Sequence, residues 1–237
     1  MQYDDFRRSD NVEEATDSPG GGYRPGRGRG LGLGGIALII GLGLLLGKSP
    51  GEILSLLASV SGEQQQGGVA PRTAPARNDQ QTDFVRAILG STEDTWAELF
   101  EAAGRSYPQP KLILFNGEVD SACGRASSAV GPFYCPGDEQ VYLDLDFFAE
   151  MDRRFHAAGD LARAYVVAHE VGHHVQNALG VMQQVDRARR RGAPLEGADG
   201  LSVRQELQAD CFAGVWANRA EQRLRWLEAG DVDVIAN

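Results

Sequence analysis

The stretch 168-AHEVGHHVQNALG-180 gathers three of the four histidines in the chain beside one glutamate. Asp160 is placed to cap a helix from Leu161 to Leu179, with Gly180 as its stop, so the stretch falls in mid-helix. Residues four apart on an α-helix share a face one turn apart, which lets His169 and His173 aim both imidazoles at a common centre. Glu170, next to the first histidine, can reach a water held at that centre rather than the metal itself. The pattern His-Glu-x-x-His is a zinc constellation of the hydrolytic type. His174 is rotated about 100° from His173 and is expected to pack or support rather than ligate. Gly172 costs about 1 kcal/mol relative to alanine inside a helix. It lies on the metal face, where a second helix must come close.

A catalytic zinc takes three protein ligands and keeps an open position. The extended motif His-Glu-x-x-His-x-x-Gly-x-x-His fails here, because Gln176 and Leu179 stand where glycine and histidine would be. The third ligand must come from farther along. In 206-ELQAD-210, Glu206 and Asp210 share one helix face among the apolar residues Leu207, Ala209, Cys211 and Phe212. Glu206 is the expected ligand, and Asp210 the acceptor for the free ring nitrogen of a liganding histidine. Asp210 as the ligand itself is the alternative.

Around these helices the chain reads as α+β, mostly helical with a small sheet. Thr82 is expected to cap a helix ending at Gly90, and Ser91 a second one ending at Gly104. The runs 111-KLILFN-116 and 140-QVYLDL-145 are of strand type, with 131-GPFYCP-136 as an additional candidate. Asp146 caps a helix from Phe147 to about Ala157. After the motif helix come an Arg-rich helix over 181–191, a loop at 192–200 and a last long helix over 202–227.

The N-terminal third is different. Residues 1–30 mix Asp, Glu, Gly and Arg with few apolar side chains and are expected to form a disordered cytoplasmic tail. Residues 31–47, LGLGGIALIIGLGLLLG, carry no charge and can cross a hydrocarbon core of about 30 Å as a single transmembrane anchor. Arg24, Arg27 and Arg29 precede this run and only Lys48 closely follows it. The positive-inside bias therefore places the N-terminus in the cytoplasm and everything after Lys48 outside the cell membrane. Gly30/Gly34, Ala37/Gly41 and Gly43/Gly47 offer a weak homodimer contact between such anchors. Residues 48–81 read as a short interfacial helix followed by a flexible linker, which leaves 82–237 for the folded domain. Cys123 and Cys135 flank a Gly/Ser-rich loop and are expected to form a disulfide in an oxidising compartment, against the alternative of three buried thiols. Cys211 is left over. A net charge of −10 argues against nucleic-acid binding.

Taken together, 169-HEVGHH-174, 206-ELQADCFAGVWA-217, 121-SACG-124 and 132-PFYCPGDEQVYLDLDFF-148 resemble the bacterial neutral zinc metallopeptidases of the YpfJ-like type. The resemblance covers about Asp83 to Ile235, with the Arg/Gly-rich start and the anchor. It implies a gluzincin-like zincin domain holding one zinc per chain on His169, His173 and Glu206, with Glu170 as catalytic acid/base. It also implies a continuation beyond Asn237 that carries a further cysteine. The expected function is hydrolysis of a peptide or protein substrate by zinc-activated water, with Glu170 taking the proton and passing it to the leaving amine. Tyr134, Tyr142, His156 and Tyr165 are the candidates for donating to the oxyanion. A substrate strand is expected to add to the sheet near 140–145. The rival expectation is a membrane-tethered binding or scaffold module with a structural zinc and no catalysis.

Overall fold

The computed structural model describes residues 1–16, 73–76, 79–148, 151, 159–197 and 200–231. In chain order the elements are β1 (Val12–Ala15), β2 (Thr73–Pro75), α1 (Gln80–Ala102), β3 (Lys111–Phe115), β4 (Glu118–Ser121) and β5 (Gly124–Ser127). Then follow β6 (Phe133–Cys135), β7 (Gln140–Asp144), α2 (Asp160–Ala178), α3 (Val181–Arg190) and α4 (Leu201–Leu224). The mixed α/β architecture agrees with the expected class.

Five strands form one sheet in the order β2-β1-β3-β7-β6, and β4 and β5 form a separate hairpin. β3 runs parallel to both β1 and β7, while β2 and β6 are antiparallel additions at the two ends. Side chains alternate across a strand, and β3 shows what each face meets. Leu112 and Leu114 join the main core with α1, α2 and α4, whereas Ile113 and Phe115 join Val119 and Ala126 of the hairpin and Tyr142 of β7. Both faces are covered, which is why 112-LILF-115 is a continuous apolar run without alternation. Cys123, in the hairpin turn, is joined to Cys135 at the end of β6 and fastens the hairpin to that edge strand. Closing a loop of this size contributes about 3 kcal/mol by constraining the unfolded chain.

Several expectations need correction. Gly90 does not end a helix: α1 runs unbroken from Gln80 to Ala102, capped by Asp79, whose side chain accepts the Thr82 amide at 2.8 Å. Residues 1–30 were expected to lack the apolar content to fold, yet Met1–Thr16 are part of the domain. Phe6 and Val12 are buried, and β1 lies inside the sheet. The segment read as a tether contributes β2. A strand as short as 12-VEEA-15 carries little local signal, because its stability comes from partners distant in sequence. The boundary of the folded part at residue 82 is accordingly too late. β7 is flanked on both sides, by β3 and β6, so it offers no edge near 140–145; the outer strand on that side of the sheet is β6. Residues 31–47, the helix expected after Ser49 and most of the one expected over 147–157 lie outside the described residues. No helix among the described residues is long and apolar enough to cross a membrane.

The reason for Gly90 lies in the N-terminal segment. A Cβ at this position would sit 2.1 Å from the main-chain oxygen of Arg7. Around that contact Arg7 reaches Glu93 at 2.6 Å and Asp94 at 2.9 Å, while Arg8 grips Asp83 through two bonds of 2.9 and 2.7 Å. Gly90→Ala should therefore lower the melting temperature by several degrees, although alanine is favoured over glycine in a helix by about 1 kcal/mol. Overpacking of this severity costs about 1–3 kcal/mol or more. Thermal unfolding that shows a rise instead would mean that the N-terminal segment does not rest on α1.

Candidate metal centre

α4 packs against α2 at one close point. The backbone of Ala209 rests on Gly172, where an added Cβ would meet the Ala209 oxygen at 2.9 Å and its Cα at 3.1 Å. Glu206 lies one turn before that contact and Asp210 directly after it, so a single helix crossing delivers both carboxylates to the histidine face. His169 Nε2 and His173 Nε2 stand 3.3 and 3.2 Å from Glu206 Oε2. The two rings meet edge to face, with centroids 4.8 Å apart. His169, Glu170 and His173 are buried, and Glu206 is largely so.

Whether these residues suit zinc can be judged from their own chemistry. Two imidazole nitrogens and a carboxylate oxygen are a ligand set that zinc favours. Their ligand atoms lie within 4.8 Å of one another. His169 Nε2 and Glu206 Oε2 are buried without a hydrogen-bond partner. Polar atoms orphaned in this way are costly unless something binds them, and here they face the same point. Electrostatics agree. Burial depresses the His169 imidazolium, but Asp210 and Glu206 outweigh it and hold its pKa above the ordinary value. His173 is raised against burial by Glu206. Burial pushes Glu206 up, and the two imidazoles override it and hold the carboxyl low. Two imidazoles and a carboxylate thus face one another at a point where a divalent cation would satisfy all three.

Behind the ligand atoms each ring is held in place. Asp210 Oδ1 accepts from His169 Nδ1 at 2.8 Å and also from the hydroxyl of Tyr165, one turn before His169. Gln176 does the same for the other ring. Its Oε1 lies 3.0 Å from His173 Nδ1, and its Nε2 donates to the Gln205 carbonyl at 2.6 Å and to Gln208 at 3.1 Å. Sequence reasoning treated Gln176 only as the residue that breaks a longer motif. Its position three after His173 was the available signal.

Glu170 is buried beside the cluster. Burial raises its pKa, opposed by the two imidazoles and by a hydrogen bond from the main chain of Tyr134 on β6. The four candidates for the oxyanion separate. Tyr142 is on the opposite face of the sheet from α2, stacked on Phe133 and donating to Asp138 at 2.8 Å, so it cannot reach the centre. The Tyr165 hydroxyl is committed to Asp210. Tyr134 is next to the centre, but its hydroxyl faces His174 at 3.3 Å and Asn177 at 3.0 Å. Because His174 Nε2 lies 2.6 Å from the Pro108 carbonyl and must donate there, its Nδ1 accepts from Tyr134. His174 is thus a strut between α2 and β6. His156 lies outside the described residues.

The family model described as "Putative neutral zinc metallopeptidase" matches residues 1–237. The uncharacterized protein YpfJ of Escherichia coli K12 is 41% identical over 239 residues, which cover 100% of this chain and 81% of YpfJ. The uncharacterized proteins Mb2605 of Mycobacterium bovis and Rv2575 of Mycobacterium tuberculosis are each 41% identical over 182 residues, covering 73% of this chain and 57% of theirs. No solved structure matches the chain.

Asp210→Ala and Gln176→Ala should each lower zinc affinity by about 10- to 100-fold, since each removes the group that orients one ligand ring. Competition with a chromophoric chelator measures this. Zinc uptake near neutral pH should also release protons, because a histidine whose pKa is raised must lose its proton to ligate. Calorimetry in buffers of different ionisation enthalpy reads the number, and none released would contradict the arrangement.

Proposed function

The chain belongs to the neutral zinc metallopeptidase family that matches it from residue 1 to 237, and from that premise we propose that it is a zinc-dependent hydrolase of peptide bonds. One observation carries the reading: the buried carboxyl of Glu170 adjoins the point on which His169, His173 and Glu206 converge, on the side where an edge strand runs. Among the described residues the ligand group has three members rather than four, which favours an open, catalytic site over a closed, structural one.

Zinc, when bound, supplies the Lewis acid that polarises a carbonyl and acidifies water. The protein's own residues do the rest. The carboxylate of Glu170 accepts a proton from the attacking water and returns it to the leaving nitrogen. Asp210 and Gln176 keep the two imidazoles in the tautomer that presents Nε2 inward. β6 is the outer strand next to the centre, and an extended peptide laid along it would gain main-chain hydrogen bonds with little demand on its side chains. The substrate is therefore an extended segment of polypeptide. Contact with a membrane through residues 31–47 belongs to the same proposal and is supported by the uncharged apolar sequence of that run.

Glu170→Gln should retain zinc and melting temperature while peptide cleavage falls about 10²- to 10⁴-fold, the usual worth of a positioned proton carrier. Mass spectrometry of a peptide library incubated with the zinc-loaded protein measures it. A wild-type protein that is folded and zinc-loaded yet cleaves nothing, and is indistinguishable from the variant, would return the centre to a structural role.

A further inference from the structure

Two parts of the chain that flank the apolar run are built into one domain. Met1–Thr16 precede residues 31–47 and Thr73 onward follow them, yet β1 is paired on both sides with strands from the second part. Glu13 stands opposite Pro75 on β2 and opposite Ile113 on β3. Lys111 on β3 donates to Glu13 at 2.5 Å, and Thr73 bonds the same carboxylate.

The contacts of α1 are equally committed. Glu93 is buried, and its carboxylate is bonded by Arg7 at 2.6 Å, by Ser9 at 2.7 Å and by Asn11 at 2.7 Å, all from the N-terminal segment. Gly90 leaves room for the main chain of Arg7. Phe6 packs on Trp226 with ring centroids 5.7 Å apart. The bonds to the buried Glu93 carboxylate, and the room at Gly90, are thus taken up by the earlier segment.

Paired strands lie about 4.8 Å apart, whereas a hydrocarbon core is about 30 Å thick and admits no unpaired strand edge. A segment cannot be in the sheet and across a bilayer from it. We infer that Met1–Thr16 and the metal-bearing domain lie on the same side of any membrane the chain meets, so that residues 31–47 do not act as a single crossing. The charge bias of Arg24, Arg27 and Arg29 orients a run whose flanks are free to part. Here the flanks are tied together by β1.

The test uses the full chain carrying Cys211→Ser, with Cys123 and Cys135 joined in their disulfide. One thiol is introduced at a time, Asp5→Cys or Arg191→Cys, both at exposed positions away from the metal centre. Intact cells producing each variant are treated with a membrane-impermeant maleimide before and after permeabilisation. The expected result is that the two thiols behave alike, both labelled before permeabilisation or both only after it. A second pair, Asp10→Cys and Arg219→Cys, also exposed, guards against a local effect. Either pair splitting, with one thiol labelled before and the other only after, overturns the inference.

Discussion

The contact of Ala209 with Gly172 is the constraint on which the centre depends. Any side chain larger than hydrogen at residue 172 would push α4 away, since a Cβ already falls 2.9 Å from a backbone oxygen that cannot swing aside. Glu206 and Asp210 would move with the helix, and the spacings of about 3 Å that make a ligand cluster would open together. The cost of glycine in a helix is thus spent on proximity. The same crossing explains the arrangement of orienting groups, because Gln176 on α2 reaches the α4 backbone at Gln205 and Asp210 on α4 reaches back to His169 and Tyr165. α4 thus fixes both rings of α2, one directly through Asp210 and the other by holding Gln176.

The centre was more legible in the sequence than the sheet was. His169, Glu170 and His173 lie within five residues of one another, so helical geometry alone relates them. Glu206 and Asp210 announce themselves as acids on an otherwise apolar face. Gly172 could be read for its proximity because it stands between ligands. Gly90 could not, since its partner, Arg7, is more than eighty residues away. Strands β3 and β7 are visible as apolar runs because both faces of the sheet are covered. β1, β2 and the β4–β5 hairpin are short and polar, and their partners decide them. Low apolar content was a poor guide to disorder in 1–16 for the same reason: two arginines and a few polar side chains there meet acids already waiting on α1.

On β6, one residue links the sheet to the chemistry. The main chain of Tyr134 bonds Glu170, while its hydroxyl joins His174 and Asn177 on α2. The adjacent Cys135 is held by the disulfide to the hairpin. A peptide lying along this strand would press on the same unit that sets the field at Glu170. The strand beside Glu170 is thus held on one side by α2 and on the other by the hairpin.

The position of β1 between β2 and β3 has a practical consequence for anyone shortening the chain. Starting a fragment after the apolar run would remove the apparent tail but also take a strand from the interior of the sheet. β3 would then present an unpaired row of amides and carbonyls along the apolar run 112-LILF-115, the combination that invites pairing between separate molecules. Such a fragment would be prone to aggregate for a reason unrelated to its metal or its active residues. A shortened form that keeps residues 1–16, joined to Thr73 by a flexible bridge, would retain the strand and remove only residues 17–72.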